Sequence, residues 1–258
     1  MRYADRVRQE QRLAAILGKL ADAGSVTVTG LAEDLGTSVA SIRRDLQSLE
    51  EQKLLKRTHG GAVAAEVIYE LPLRYRLGRR EEKRQIAEAA AKFVTESVHS
   101  VGLNGGTTTT ELARLLAGTR QLKVVTNALN IASDLCPRPT IDLVVTGGGV
   151  RPESYELVGP IADRALAGIS LDLVFLGVDG IDARGGITTH DEVEAHTDHC
   201  LLRTADRVVV LADGSKVGKR AFSRIAGITD VHVVITDSSA PAAELDRLRA
   251  VGVEVVVA

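Results

Sequence analysis

Tryptophan is absent from this 258-residue chain, aromatic residues make up 3% of it, and it has one methionine. The cores must therefore be aliphatic, and stacking of single-stranded bases on aromatic platforms is disfavoured as a binding mode. Only two cysteines occur, Cys136 and Cys200, with no Cys-x-x-Cys spacing. Neither a disulfide framework nor a cysteine zinc site is expected, and the usage suits a reducing cytosol. No apolar run approaches the roughly 18 residues of a membrane span, and the opening MRYADRVRQEQR is charged. The expectation is a soluble, cytoplasmic protein with no membrane partner, no internal repeat and no low-complexity segment.

Hydrophobic residues make up 45% of the chain, and the length suits about two domains. The net charge of -2 conceals an asymmetry. Residues 1–84 hold 16 Lys/Arg against 12 Asp/Glu, whereas residues 85–258 hold 16 against 22. Phosphate backbones attract the first segment and not the second.

The stretch 38–62, SVASIRRDLQSLEEQKLLKRTHGGA, organises the basic half. Val39, Ile42, Leu46 and Leu49 form one narrow helical stripe that packs inward, while Arg44, flanked by Ala40, Ser41, Gln47 and Ser48, faces the other way. Ser38 is placed as its N-cap. A short amphipathic helix, 31–35, precedes it and can be capped by Thr29, and Gly36 closes that helix. Residues 26–28 read as a short strand able to pair with a later hairpin. After Glu51, residues 54–59 lead into Gly60-Gly61, a hairpin signal in which both glycines can take positive φ. A first helix over residues 3–23, carrying Val7, Leu13, Ile16, Leu17 and Leu20, completes a winged helix-turn-helix.

These residues resemble the N-terminal domain of the DeoR family of bacterial transcription regulators, whose hallmark is T-I-R-R-D-L followed by H-G-G-A. The chain has Ser41-Ile42-Arg43-Arg44-Asp45-Leu46 and His59-Gly60-Gly61-Ala62. Ser41 retains the hydroxyl of the usual Thr, and Ala40 is shorter than the polar residue often found there. The expected DNA-binding set is Ser38, Ser41, Arg43, Arg44, Gln47, Lys53, Lys56, Arg57 and His59. Arg44 would read a base edge, while Arg43, Lys53, Lys56, Arg57 and His59 hold phosphates.

The expected domains are 1–65 for the winged helix-turn-helix, 66–82 for a linker and 83–258 for a Rossmann-like α/β domain. In the last, helical and strand patterns alternate, and near-continuous Val, Leu and Ile runs imply a mostly parallel sheet between helices. Ligands in such sheets sit at the carboxyl ends of strands. Three successive ends are rich in Gly, Thr and Asn: Asn104-Gly105-Gly106-Thr107-Thr108-Thr109, Thr126-Asn127, and Gly147-Gly148-Gly149 with Arg151 close behind. Bare amides and hydroxyls at a helix start suit an anion such as phosphate. No G-x-G-x-x-G follows a strand, and residues 214–219 lack Walker spacing. A small phosphorylated metabolite fits better than a nucleotide.

The family resemblance extends over nearly the whole chain. It implies a C-terminal sugar-phosphate sensor related to ribose-5-phosphate isomerase, through Gly106-Thr107-Thr108, Thr126-Asn127, Gly147-Gly148 and Asp213-Gly214-Ser215-Lys216. The isomerase likeness is visible also at Asp179-Gly180-Ile181-Asp182 and Gly185-Gly186, which adds Asp179 and Lys216 to the expected ligand site. Asn104 stands where the family often has Asp, and Arg184 stands near where the resemblance implies a catalytic Lys.

The resulting reading is a DNA-binding regulator, a repressor of a sugar-metabolism operon, that binds duplex operator DNA and a sugar-phosphate effector and oligomerises. No cofactor and no metal are expected. The alternative is a sugar-phosphate isomerase-like enzyme, needing a carboxylate base beside a group that stabilises an enediolate. A zinc site at His190, His196 and His199 is the third idea, set against a polar helix flank with Glu194 turned inward.

Overall fold

A computed structural model describes residues 12–13, 15–20, 25–51, 55–58, 60–64, 80–118 and 120–258. The chain divides into two compact units, Met1–Arg80 and Glu81–Ala258.

In the first unit residues 12–13 and 15–20 are helical. They are followed by β1 (Ser25–Thr27), α1 (Val28–Asp34), α2 (Val39–Glu51), β2 (Leu55–Arg57) and β3 (Gly61–Ala64). Ile16, Leu17, Leu20, Leu31, Ile42, Leu46, Leu49 and Leu55 close one aliphatic core. Most of the expected first helix, 3–23, and most of the linker, 66–82, lie outside the described residues. The three strands run in the order β1-β3-β2, all antiparallel, so the short strand does pair with the wing. Thr27, and not Thr29, caps α1 by accepting from the Gly30 amide at 3.1 Å. The helix accordingly starts three residues earlier than its apolar pattern suggests.

The wing glycines act differently from the turn expectation. Neither Gly60 nor Gly61 has a positive φ. A Cβ on Gly61 would lie 1.8 Å from the Val26 carbonyl oxygen, so glycine is required by the close approach of β1.

The second unit starts with α3 (Arg80–Ala91), which begins inside the span expected as linker. Its sheet is built from β4 (Ser100–Leu103), β5 (Leu122–Thr126), β6 (Ile141–Val145), β9 (Leu171–Gly177), β12 (Ala205–Leu211), β14 (Val233–Thr236) and β15 (Glu254–Val257). The order is β15-β14-β12-β9-β4-β5-β6, with every pairing parallel. Successive residues alternate faces. Leu173, Phe175, Val209 and Leu211 pack in a core with α3, α4 (Thr107–Leu116) and α5 (Leu129–Leu135). Val174, Leu176, Val208 and Val210 pack in the other core, with α6 (Pro160–Leu166), α7 (Glu192–Leu202) and α8 (Ala242–Ala250).

Strand order reverses between β4 and β9, and that switch point opens a crevice at their carboxyl ends. Five short strands were not anticipated: β7 (Gly149–Arg151) with β8 (Glu156–Val158), and β10 (Gly180–Asp182), β11 (Gly186–Thr189) and β13 (Ser223–Ala226). Three or four residues long and partly polar, they carry no apolar run for a pattern to detect.

Candidate functional site

In the first unit Ser38 caps α2: its Oγ accepts from the Ser41 amide at 3.1 Å, and its carbonyl accepts from the Ile42 amide at 3.1 Å. Arg43, Arg44 and Gln47 are exposed on α2, and Ser41 is half-buried. Arg44 donates from Nε to the Ala40 carbonyl at 3.3 Å, and Gln47 reaches Glu51 at 3.0 Å. Lys56 and Arg57 are exposed on β2, where the Arg57 amide donates to Glu50 at 2.9 Å. Lys53 and His59 lie outside the described residues.

A pocket of about 160 Å³ separates the helix from the wing, lined by Val28, Val39, Arg43, Arg57, Thr58 and Gly60 among others. Val39 faces this pocket partly exposed, outside the apolar stripe it was assigned to. Being the first residue of α2, it has no preceding turn to cover it. Asp45 was not expected inside, yet it is buried and held by Arg12 through two hydrogen bonds of 2.5 and 3.1 Å. The charge run of the recognition helix is therefore split. Two arginines face outward, and one carboxylate ties α2 to the first helix.

In the second unit Asn104 marks the switch point. Its carboxamide bridges β4 to β9, accepting from the Gly177 amide at 2.8 Å and donating to the Gly177 carbonyl at 3.0 Å. The same Nδ2 donates to Asp198 at 2.8 Å. Next to it the Gly105 amide donates to Glu156 at 2.5 Å, and a Cβ on Gly105 would strike that carboxylate. Glu156, Glu194 and Asp198 bring carboxylate oxygens within 4.8 Å of one another, all buried. From Glu194 the network runs to Arg151 at 3.0 Å and to the Thr189 hydroxyl. Thr189 also donates to Asp179 at 3.0 Å, which faces Lys216 at 3.7 Å.

Burial pushes Glu156 and Asp198 well above the ordinary carboxylate range, and their mutual repulsion and that of Glu194 add to it. Glu194 is raised chiefly by burial, against its hydrogen bond with Thr189 and the charge of Arg151. Each holds its proton to higher pH than an exposed acid would.

Asn127 is fully buried beside Asp198, yet neither atom of its carboxamide makes a well-formed hydrogen bond. Glu156 Oε2 and Asp198 Oδ1 are in the same condition. Leaving such a group unsatisfied costs about 1–3 kcal/mol, so these atoms call for a polar partner, water or ligand.

The expected residues thus divide. Asn104, Gly105, Asn127, Arg151, Asp179 and Lys216 enter one polar network. Gly106 (φ 140°) precedes α4, whose first turn presents Thr107 and Thr108. Thr109 and Thr110 turn their hydroxyls back to the Gly106 carbonyl, at 3.0 and 2.7 Å. Thr126 Oγ1 donates to the Leu103 carbonyl at 2.7 Å and accepts from Ala128, serving the backbone. Gly147 and Gly148, with φ of 70° and 130°, form the turn into β7, and a Cβ on Gly148 would lie 2.8 Å from the Val158 carbonyl oxygen. Arg151 comes already paired with carboxylates. Glu156, Thr189 and Asp198 were missed. Asp198 lies four residues after Glu194 on α7, a one-face spacing that was readable, whereas Glu156 sits in a hairpin the pattern did not reveal.

The isomerase-like residues are tied up. Asp182 is held by Arg220 and by the amides of Arg184 and Gly185, which lowers its pKa to about 2, the guanidinium being the main cause. Lys216 bonds the Val178 carbonyl. The three histidines diverge: His190 faces Asp179 at 4.0 Å, His196 faces Asp163 at 3.6 Å, and His199 Nδ1 meets the Ile225 carbonyl at 2.9 Å. They share no centre. Among the described residues no helix is long and apolar enough to cross a membrane.

Comparison with known proteins agrees with this architecture. Residues 12–67 match the DeoR-like helix-turn-helix domain, and residues 79–238 match the DeoR C terminal sensor domain. The transcriptional repressor AccR of Agrobacterium fabrum is 35% identical over 232 residues, covering 89% of this chain and 90% of that protein. The regulator GlpR of Haloferax volcanii is 34% identical over 251 residues, with 95% and 96% covered. The glycerol-3-phosphate regulon repressor of Escherichia coli is 30% identical over 243 residues, with 94% and 96% covered. Among solved structures, ribose 5 phosphate isomerase A from Neisseria gonorrhoeae aligns over 52% of each chain at 18% identity and a TM-score of 0.39, too slight a likeness to assign anything. The matching domains and relatives are those of transcription regulators, not enzymes. The chain belongs to the DeoR family of DNA-binding transcription regulators.

Proposed function

We propose that the chain represses a sugar-metabolism operon, binding duplex operator DNA through its first unit under control of a phosphorylated sugar held in its second. Arg44 reads a base edge, while Arg43 and Arg57, which line the pocket between helix and wing, and Lys56, exposed on β2, hold phosphates. The basic balance of residues 1–84 supports the same assignment. Residues 66–82 connect the two functions. The protein acts in the cytoplasm and needs no resident cofactor, the sugar phosphate being an effector.

The observation that carries the effector reading is the set of buried, unsatisfied atoms on Asn127, Glu156 and Asp198, next to the start of α4. Sugar hydroxyls both give and accept, so they complete the two carboxyl oxygens whether or not these carry a proton, and the Asn127 carboxamide likewise gives and accepts. The ester phosphate meets the Thr108 hydroxyl and the amides of Thr107 and Thr108 at the positive end of the α4 dipole. To control DNA binding the ligand must favour one conformation over the other, by about 1–3 kcal/mol in typical cases.

Thermal-shift screening against a panel of phosphorylated sugars, followed by calorimetry, tests this. A hit is expected to lose about tenfold in affinity in Thr108→Val while DNA binding without ligand is unchanged, the scale of one hydrogen bond to a charged group. Unaltered ligand affinity would remove the phosphate from α4. The strongly exposed Phe222, Ile161 and Val150 support a homo-oligomer, since a second copy would cover them, and sedimentation reads this directly.

A further inference from the structure

Outside the polar network, Asp163 on α6 and His196 and Cys200 on α7 form a separate cluster whose ligand atoms lie within 4.8 Å of one another. His196 Nε2 is 3.6 Å from Asp163 Oδ2 and 3.9 Å from Cys200 Sγ. Both neighbours meet the same ring nitrogen. A nucleophile relay would need the carboxylate on one nitrogen and the thiol on the other, so the arrangement is unsuited to that chemistry. It is what a shared metal ion requires.

The separations fit quantitatively. With bonds of about 2.0 Å to nitrogen and oxygen and 2.3 Å to sulfur, tetrahedral zinc places its nitrogen about 3.3 Å from an oxygen ligand and about 3.5 Å from a sulfur ligand. The two distances to His196, 3.6 and 3.9 Å, need adjustments of a few tenths of an ångström, and the carboxylate and thiol lie within 4.8 Å of each other. The i,i+4 spacing of His196 and Cys200 puts both on one face of α7. The Asp163 carboxylate is held in a suitable orientation, because its Oδ1 accepts from the Thr197 hydroxyl at 2.7 Å, which directs Oδ2 to the histidine. The His196 ring is 66% exposed, which gives an ion access and leaves room for a fourth ligand from solvent.

We infer that Asp163, His196 and Cys200 bind one zinc-class transition-metal ion, with an open fourth position, at the junction of α6 and α7. The donor set of thiolate, imidazole and carboxylate favours zinc over magnesium or calcium. On binding, the Cys200 thiol gives its proton to solvent and the sulfur becomes the ligand. This departs from the absence of metal expected from the sequence, which weighed His196 with His190 and His199 and set the cysteines aside.

The test uses untagged full-length protein, stripped with a chelator, loaded with zinc chloride and desalted. One zinc per chain by elemental analysis is expected, with a raised Tm. Cys200→Ala and His196→Ala should each lower retained zinc at least tenfold, while Cys136→Ser, altering the other thiol, keeps it. Cobalt(II) should give tetrahedral bands and a thiolate charge-transfer band that vanishes in Cys200→Ala. Circular dichroism of the metal-free variants checks that they are folded. Zinc well below one per chain in the wild type, or full zinc in both variants, overturns the assignment.

Discussion

The two units place their chemistry in opposite surroundings. In the first, the outward groups are cations on a single helix and a single hairpin, Arg43, Arg44, Lys56 and Arg57, all exposed. In the second, the groups at the switch point are acids and amides sealed from solvent and drawn from separate segments: Asn104, Asn127, Glu156, Glu194 and Asp198. A surface that meets a polyanion must keep its charge in water to be available. A site that recognises hydroxyls gains by burial, because an unsatisfied acceptor there is costly and a fitting donor correspondingly favourable.

The largest effect that would test the contrast is Gly61→Ala. The added methyl meets the Val26 carbonyl, so the wing must separate from β1, with a loss of about 3 kcal/mol in stability confined to the first unit. Denaturant unfolding should show the loss, and binding measurements should show operator affinity lost and ligand affinity kept; loss of both would mean that the units do not behave separately. Arg44→Ala comes next, at ~1–3 kcal/mol on the operator and little on random duplex. Equal losses on both would remove its base-reading role and leave it a phosphate contact.

The smallest effect is expected at Asp182. Its pKa of about 2 lies below the unfolded carboxylate value near 3.9, so the folded state gains from the ionised form. That gain is complete above the unfolded value and disappears as pH falls towards about 2. Comparing wild type with Asp182→Asn across acid pH, the stability difference should shrink as pH drops below about 4. Because Arg220 is half exposed, solvent screening keeps the effect small. A difference independent of pH would exclude the ion pair as its source.

Much of the first unit was legible because its face is set by local periodicity. Ile42, Leu46 and Leu49 are buried and Arg44 exposed, as a 3.6-residue repeat requires. The exceptions involve partners distant in sequence. Asp45 turns inward because Arg12 meets it, and Gly61 is glycine because β1 crosses it. In the second unit the seven parallel strands were readable from their Val, Leu and Ile runs, and the polar ends of β4 and β5 lead to the buried polar network at the switch point. Glu156 was not readable, since it comes from a short hairpin that lays its carboxylate on the Gly105 amide.

The sequence by itself determined the order of elements, the exposed basic face of α2 and the polar strand ends, because helix and strand periods, caps and charge act over a few residues. Only the tertiary structure decided which side chains meet. Whether a carboxylate repels, pairs or waits for a ligand depends on neighbours up to 94 residues away, as with Asn104 and Asp198, and on the dielectric that packing creates around them.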